Sequence, residues 1–366
     1  MVNKNIIPDK FKNHPLFTQP VVGMNYGFMA KRGYYNTEYA KQQPKLMADM
    51  GINWVTLNAN FCMDHLASTR CYLDFEYSST ETELIEMAKR MHDAGINIML
   101  KPCMTLLDGT WMGRVRFPAD CDATQINGVR LEYWKKWFQS FGECTKYYAE
   151  IAEKCGIESY LIGAEYFGTE EQNEGWKGAI EAAREYYSGP ISYEFIPRSI
   201  TEQTTATLDW FNYLDFLCLS FYPAAQAPNA TYTLTSNPDA PNLPPVSLES
   251  MMEYLKPEAK FVKSVIERFN KPMMFTEIGA RSSRGNTVRP ADFRWPSIYD
   301  GEEQANYMEA VFRTFSQIEN WMGFLWWKWD ETQDRPHYTT DPAGEQGFTI
   351  QGKPAEKVFK SWQGKF

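Results

Sequence analysis

The strongest constraint on the fold is an alternation between short apolar segments and longer amphipathic segments along most of the chain. The short segments are rich in β-branched and aromatic residues, as strands are, whereas the longer ones repeat apolar residues with a helical period. Candidate strands lie at residues 21–26, 53–57, 96–101, 159–163, 191–195, 216–220, 272–276 and 323–327. This alternation predicts parallel strands joined by helices, and the number of strands predicts an α/β protein with a (β/α)8 TIM barrel.

Candidate helices separate most of these strands, at about 38–50, 81–94, 131–154, 174–187, 248–269 and 302–318, with a closing helix at 353–362. Gly51 and Gly95 follow the first two helices and are typical C-terminal caps. The third strand is predicted to end at Pro102, and residues 224–247 are predicted to form a cleft wall rather than a linker.

The length of the chain is compatible with one domain. Its 366 residues exceed the usual size of roughly 100–200 residues per domain. A single barrel, however, needs about 250 residues and tolerates long insertions. Because neither an internal repeat nor a low-complexity linker is recognisable, residues 1–366 are predicted to form a single barrel domain.

The charge and hydropathy of the chain exclude two classes of partner. A net charge of −9 argues against nucleic acid and against anionic membranes, which both require a basic surface. No apolar run approaches the length of about 18 residues that a membrane-spanning helix needs. The first 15 residues lack the apolar stretch of a signal peptide, so we expect a cytoplasmic protein, or a secreted one if a leader has been removed. The oligomeric state is not indicated.

Metal and nucleotide cofactors are not predicted. The seven cysteines are scattered without CxxC pairs, and we expect free thiols in a reducing compartment. The four histidines, His14, His65, His92 and His337, show no HExxH pattern or other ligand spacing. Neither a GxGxxG motif after the first strand nor a P-loop is present.

Two glutamates follow predicted strands of the barrel, where catalytic groups of this architecture lie. Glu165 follows the fourth strand in SYLIGAEYFG, and Glu277 follows the seventh in KPMMFTEIGARS. Taken alone, each could be a helix cap or the partner of an arginine. Together they match glycosidic bond hydrolysis, in which one carboxyl group protonates the leaving oxygen and the other meets the developing oxocarbenium carbon. A separation of about 5–5.5 Å between them would predict retention of configuration.

The division of labour depends on the surroundings of the two carboxyl groups. We predict that Glu165 is the more enclosed, protonated acid/base and that Glu277 is the ionised nucleophile. Tyr222, after the sixth strand, and Arg281 are candidate hydrogen-bond donors that would keep Glu277 ionised. Tyr222 could equally be a core tyrosine with a satisfied hydroxyl group.

Aromatic residues at the last strand predict a sugar-binding platform. In GFLWWKWDE (323–331), side-chain alternation would place Trp327 and Trp329 on one face, where they could stack on the sugar beside the cleaved bond. Packing between strand and helices is the alternative, and Trp326 is the best candidate for it.

Further polar and aromatic residues follow the second and third strands. They are expected to contact an oligosaccharide substrate at the same mouth: Asn58, Asn60, Lys101, Asp108 and Trp111.

The chain resembles glycoside hydrolase clan A and, within it, the β-mannanase family 113. The matching stretches are GINWVTLN (51–58), AGINIMLKP (94–102), DGTWMG (108–113), YYAEIAEKCGIESYLIGAE (147–165), DFLCLSFYP (215–223), KPMMFTEIGARS (271–282) and GFLWWKWDE (323–331). They run in order through most of the chain. Two features depart from the clan pattern. Ala164 stands where many clan members have an asparagine that binds the sugar 2-hydroxyl group, and the 103–128 loop does not align.

The resemblance implies a retaining hydrolase of β-linked mannose-containing oligosaccharides. It implies that Glu165 is the acid/base, that Glu277 is the nucleophile, and that Tyr222 positions Glu277. Trp327 or Trp329 would form the floor of the reactive subsite. Two alternatives stay open: a clan A β-glucosidase, β-galactosidase or endoglucanase, and a non-catalytic carbohydrate-binding barrel. The sugar epimer and endo or exo action are not indicated.

Overall fold

The computed structural model describes residues 2–121, 128, 130–203, 208–227, 244–293, 298–329 and 347–365. Eight parallel strands close into a barrel in chain order, which confirms the predicted α/β class and the (β/α)8 TIM barrel. The strands are β1 Val21–Tyr26, β2 Trp54–Met63, β3 Asn97–Leu106, β4 Ser159–Ala164, β5 Ile191–Phe195, β6 Leu217–Ser220, β7 Met273–Ile278 and β8 Trp321–Trp326.

The described helices accompany these strands. They are α1 Pro15–Thr18, α2 Glu38–Asp49, α3 Glu81–Asp93, α4 Tyr133–Cys155, α5 Asn173–Arg184, α6 Pro197–Thr201, α7 Leu248–Phe269, α8 Gly301–Phe315 and α9 Pro354–Ser361. Most begin and end within three residues of the predicted bounds, and α7 has the predicted bounds. Gly51 and Gly95, with φ angles of 87° and 77°, adopt the left-handed conformation that ends α2 and α3.

The chain forms two compact units. The first unit comprises Met1–Tyr26, Met47–Thr56 and Leu219–Phe366, and the second comprises Gly27–Leu46 and Leu57–Cys218. The expectation that residues 1–366 form one domain stays a prediction.

In the first unit, β1 pairs in parallel with β8, and β8 pairs in parallel with β7. Gly323 in β8 has a φ of 125°, and a Cβ atom there would lie 2.0 Å from the carbonyl oxygen of Val21. Only glycine allows this close approach. Outside the strands, the Phe312 ring of α8 stacks on Trp362 at 4.9 Å and fixes the C-terminal segment.

In the second unit, β4 pairs in parallel with both β3 and β5. The apolar face of α4 contributes Trp137 and Phe141, whose rings stack at 4.8 Å. Trp176 of α5 stacks on Trp210 at 4.6 Å. All four side chains are buried, so much of the high aromatic content belongs to the core.

The prediction that the third strand ends at Pro102 is wrong, because β3 continues to Leu106. A proline cannot donate a ladder hydrogen bond, but the Tyr166 side chain forms hydrogen bonds with the strand backbone at and beyond Pro102. The backbone N–H of Met104 donates to the Tyr166 hydroxyl oxygen at 3.0 Å, and that hydroxyl group donates to the carbonyl oxygen of Pro102 at 3.4 Å.

All seven cysteines are free, and five of them are buried. Among the described helices, none combines the length and the apolar character that crossing a bilayer requires.

Candidate active site

Glu165 follows β4 directly and is half-buried. Its φ of 59° lies in the left-handed region, which is sparsely populated for residues other than glycine. The backbone N–H of Glu165 donates to the carbonyl oxygen of Glu194 in β5 at 2.7 Å and holds this conformation. The strand thus ends in a fixed turn that determines the direction of the carboxyl group.

Trp111 is the hydrogen-bond donor to the Glu165 carboxylate. Its Nε1 lies 2.9 Å from Oε2 of Glu165. A Cβ atom on Gly113 would lie 2.4 Å from the indole ring, so this glycine gives the ring its space. Asp108 is exposed and accepts a hydrogen bond from the backbone N–H of Thr110 at 2.9 Å, which shapes the turn before Trp111. Of the two predicted substrate-binding residues of this loop, Trp111 contacts Glu165, whereas Asp108 stabilises the backbone before Trp111.

Lys101 and Glu194 form a buried ion pair in the second unit. Nζ of Lys101 lies 2.8 Å from each carboxylate oxygen of Glu194, and the side chains are 1% and 0% exposed. Carboxylate oxygens of Glu194 and Glu165 lie within 4.8 Å of each other. Lys101 was expected to be a substrate donor, whereas its ammonium group compensates a buried charge next to Glu165. Sequence reasoning missed Glu194, although an acidic residue inside the apolar strand ISYEF was a signal.

This pair of carboxylates bears on metal binding. Carboxylate oxygens at this spacing are ligands that a hard divalent cation accepts. The Lys101 ammonium group, however, engages both oxygens of Glu194. A cation at Glu194 would therefore compete with the Lys101 ammonium group.

Asn58 and Asn60 of β2 are buried, and both form hydrogen bonds with other groups of the protein. The Cys103 thiol group donates to Oδ1 of Asn58 at 3.4 Å. Nδ2 of Asn60 donates to the carbonyl oxygen of Ala30 at 2.9 Å. The amide group of Asn60 thus holds a neighbouring loop. Contact of either asparagine with substrate stays a prediction.

Glu170 anchors the segment that follows Glu165. It is fully buried and accepts hydrogen bonds from Tyr193 Oη at 2.8 Å, Ser199 Oγ at 2.9 Å and Gln203 Nε2 at 2.8 Å. Burial raises the pKa of the Glu170 carboxyl group to about 7, although the three donors lower it, and the nearby Glu165 charge adds to the rise. The segment after the candidate acid/base is therefore tied to β5 and to the residues that follow it.

Glu277 lies inside β7 rather than after it, and like Glu165 it is half-buried. Backbone hydrogen bonds continue past the predicted strand end, since Phe221 N–H donates to the carbonyl oxygen of Glu277 at 2.7 Å. The Tyr222 hydroxyl group lies 3.2 Å from Oε2 of Glu277 and donates to it. In the first unit, a carboxylate and a phenol are thus held together at the end of β7.

Arg281 is 1% exposed and braces the loop that follows β7. Its backbone N–H donates to Oδ1 of Asn286 at 2.6 Å, and its Nη1 donates to the carbonyl oxygen of Phe293 at 2.7 Å. Through these contacts, Arg281 stabilises the conformation of the loop. Its expected contact with Glu277 or with substrate stays a prediction.

The three tryptophans at the end of β8 differ in their surroundings. Trp326 is buried and its Nε1 donates to the carbonyl oxygen of Phe348 at 2.9 Å, as expected for a packing residue. The strand ends there, so strand alternation does not extend to Trp329. Trp327 is half-buried and Trp329 is 3% exposed. Of the two proposed platform residues, Trp327 is the more accessible; Asp330, Glu331 and His337 lie outside the described residues.

Known structures share this fold. A complex of a GH113 β-1,4-mannanase is 22% identical with a TM-score of 0.74, and covers 95% of this chain and 100% of its own. The GH113 β-mannanase AaManA from Alicyclobacillus acidocaldarius, in complex with ManMIm, is 24% identical with a TM-score of 0.75, covering 94% and 97%. A β-glucuronidase from Ruminococcus gnavus is 16% identical with a TM-score of 0.57, covering 94% and 50%. A comparison with curated protein sequences finds no match.

The family is established by sequence. The profile of Glycoside Hydrolase Family 113 matches residues 24–353, which span all eight strands except the first residues of β1. This match confirms the predicted resemblance to clan A and family 113. The chain is therefore a glycoside hydrolase and belongs to Glycoside Hydrolase Family 113.

Proposed function

We propose that this glycoside hydrolase cleaves β-linked mannose-containing oligosaccharides with retention of configuration, using Glu165 as acid/base and Glu277 as nucleophile. Two solved family members of the same fold are β-mannanases, which supports this substrate class. In a barrel of parallel strands, the C-terminal ends of the strands lie at one rim, and catalytic groups are expected there. Glu165 and Glu277 occupy such ends, those of β4 and β7.

The observation that carries the proposal is the Tyr222–Glu277 hydrogen bond at 3.2 Å. A phenol that donates to a carboxylate fixes its orientation, which a nucleophile needs for attack on the anomeric carbon. On the other carboxyl group, Trp111 donates to Oε2 of Glu165 and fixes the orientation of that group. The two carboxyl groups thus have surroundings suited to different roles.

The reaction has two steps. In the first, a carboxylate oxygen of Glu277 bonds to the anomeric carbon while the glycosidic C–O bond breaks and Glu165 gives its proton to the leaving oxygen. In the second, Glu165 takes a proton from water, whose oxygen displaces Glu277 from the anomeric carbon. Each proton given in the first step is recovered in the second. Trp111, which is 36% exposed, and the half-buried Trp327 are the candidate stacking residues for the sugar ring.

The test is to follow the hydrolysis of mannotriose and mannotetraose by NMR and to identify the first anomer released. Retention predicts that the β-anomer appears first, whereas initial release of the α-anomer would refute the double displacement. Parallel assays with cello-oligosaccharides, galacto-oligosaccharides and aryl glycosides test the mannose preference. A higher kcat/KM on any of those substrates would assign the enzyme another clan A specificity.

Two variants test the residue roles. Glu277→Ala is expected to abolish turnover and to retain sugar binding. Glu165→Ala is expected to lose activity mainly on substrates with poor leaving groups, and added azide should partly restore turnover of an activated aryl glycoside. Glu174→Ala is the matched control, because its side chain is 90% exposed at the start of α5. Near-normal turnover by Glu277→Ala would remove Glu277 from the mechanism.

A further inference from the structure

Three of the described lysines are buried, and two of them have partners within the protein. Lys101 forms the ion pair with Glu194. Nζ of Lys353 has three described acceptors, of which Ser282 Oγ at 3.0 Å is the nearest. The third lysine, Lys328, is 1% exposed, and its Nζ has no hydrogen-bond acceptor among the described residues. Lys328 therefore differs from the other two in the surroundings of its charge.

The buried charge of Lys328 is costly for folding. Taking an ammonium group out of water removes its hydration, and this loss is compensated only by hydrogen bonds or by an opposite charge. A methionine is of similar length and would fill the same space without that cost. Natural sequences depart from such stabilising choices mainly at functional sites. An anionic ligand would supply the acceptor that the described residues do not provide.

Lys328 lies just after the end of β8, at the rim where the catalytic groups of a barrel are expected. The backbone N–H of Trp327 donates to the carbonyl oxygen of Ile278 in β7 at 2.7 Å. The backbone N–H of Trp329 donates to the carbonyl oxygen of Asn25 in β1 at 2.9 Å. The residues on both sides of Lys328 are thus tied to neighbouring strands. Its backbone is fixed, and the side chain is the part that can adjust to a ligand.

The ammonium group of Lys328 lies over the ring of Trp327, with Nζ 5.7 Å from the ring centroid. The Trp327 side chain is half-buried, so part of it faces solvent. An aromatic face attracts a cation but does not neutralise its charge. Away from water, an ammonium group attracts an anion more strongly than it does in solution. The two side chains therefore offer an aromatic surface and a positive charge to the same ligand.

We propose that Lys328 is a specificity-determining residue that binds the anionic group of an acidic sugar placed against Trp327. The carboxylate of a hexuronic acid and the phosphate of a sugar phosphate share this chemistry, since both accept hydrogen bonds from an ammonium group. Four methylene groups separate Nζ from the fixed backbone, so the ammonium group can turn towards such a ligand. The inference rests on the proposed function for the choice of mannose as the parent sugar. It extends the substrate class to oligosaccharides that carry an acidic unit.

The test compares the affinities of D-mannose, D-mannuronate and D-mannose 6-phosphate for the wild-type protein by calorimetry. None of these sugars has a glycosidic bond to cleave, so the measurement does not depend on turnover. At least one acidic sugar is expected to bind about tenfold more tightly than mannose, as one hydrogen bond between charged groups allows. Tighter binding of the uronate would assign a carboxylate to the site, and tighter binding of the phosphate would assign a phosphate ester.

The variant Lys328→Met removes the charge and keeps the length of the side chain. It should bind the acidic sugars no more tightly than mannose, and its affinity for mannose should stay nearly unchanged. Lys263→Met is the matched control, because Lys263 of α7 is 67% exposed. This control should keep the preference of the wild-type protein for the acidic sugar.

Urea unfolding of Lys328→Met without ligand provides a second measurement. A lysine that serves a ligand contributes a cost to the free protein, so the urea midpoint of the variant should equal or exceed that of the wild type. A lysine that serves the fold predicts the opposite. A midpoint lowered as much as that of Lys101→Met, or failure of Lys328→Met to fold, would show that the ammonium group serves the fold and would overturn the proposal.

The outcomes separate the two proposals. If neither acidic sugar binds the wild-type protein more tightly than mannose, or if Lys328→Met keeps the preference, the acidic-sugar site is refuted whether or not the enzyme turns over. A preference that Lys328→Met loses and Lys263→Met retains supports the site. Absence of turnover on manno-oligosaccharides would refute the proposed function, and the binding result would stand by itself.

Discussion

The Lys101 ammonium group lies 2.8 Å from both carboxylate oxygens of Glu194, and neither side chain reaches solvent. The carbonyl oxygen of Glu194 also accepts the backbone N–H of Glu165 at 2.7 Å. A single residue of β5 thus fixes the turn of the candidate acid/base and places a compensated charge beside its carboxyl group. The ion pair belongs to the support of the site.

Breaking this ion pair is expected to destabilise the protein strongly. Lys101→Met removes the charge that compensates the buried Glu194 carboxylate, which costs about 3–5 kcal/mol of unfolding free energy. The double variant Lys101→Met/Glu194→Met removes both charges and should recover much of the loss. Urea unfolding followed by circular dichroism measures these differences. Lys135→Met is the control, since that lysine is 67% exposed and its pair with Glu132 should contribute little. A loss below 1 kcal/mol in Lys101→Met would contradict the role assigned to the pair.

The indole N–H of Trp111 is expected to support turnover. Trp111→Phe keeps an aromatic surface but removes the donor to Glu165 Oε2. The Glu165 carboxyl group then loses a contact that fixes its orientation, so kcat/KM should fall. Because the indole is 36% exposed, water replaces part of the bond, and we expect a loss of about tenfold or less. Steady-state kinetics on mannotetraose measure the loss, and an unchanged kcat/KM would contradict it.

The barrel could be predicted from sequence because its signals are local and repeated. Helix α7 shows the principle, since apolar residues recur with a helical period on both sides of Pro257 and the cap residue Ser247 directly precedes the helix. Strand β3 shows the limit. Its backbone beyond Pro102 bonds to the Tyr166 hydroxyl group, which is far away in the sequence and cannot be inferred from the strand itself.

The candidate site could be predicted only in part, for a related physical reason. Glu165 and Glu277 could be predicted from their positions at the ends of strands, because the topology of the barrel determines where those ends lie. The partner of a polar side chain depends on long-range packing. The sequence therefore predicts Lys101 and Asn60 as substrate donors and Arg281 as a donor to Glu277, whereas in the structure each donates to another group of the protein.

Removal of the Tyr222 hydroxyl group is expected to lower kcat more than it changes KM. In Tyr222→Phe, the Glu277 carboxylate loses a donor that holds its orientation at 3.2 Å. A hydrogen bond to a charged group contributes about 1.5–3 kcal/mol, so kcat should fall roughly 10–100-fold. Steady-state kinetics on mannotetraose measure the effect. Tyr254→Phe is the control, because Tyr254 is 41% exposed on α7. An unchanged kcat in Tyr222→Phe would show that this contact does not serve the reaction.

The buried carboxyl group of Glu170 is expected to make stability depend on pH. Its pKa in the folded protein is raised to about 7, mainly by burial, from a usual value of 4.5. Below 4.5 the carboxyl group is protonated in both states, so it contributes no pH dependence there. Between 4.5 and 7 the unfolded chain loses the proton that the folded protein keeps. Stability should therefore fall as the pH rises through this window, by about 3 kcal/mol at most, and then level off.

The measurement is the urea unfolding free energy at pH 4.5, 6 and 8 for the wild type and for Glu170→Gln. Glutamine retains an acceptor for Tyr193 and Ser199 but does not titrate, so the decline attributable to Glu170 should disappear in the variant. Glu171→Gln is the matched control, since its neighbouring carboxylate is 47% exposed and should leave the decline in place. If wild type and Glu170→Gln show the same pH dependence, Glu170 is ionised in the folded protein over this range. In that case its three hydrogen-bond donors outweigh its burial.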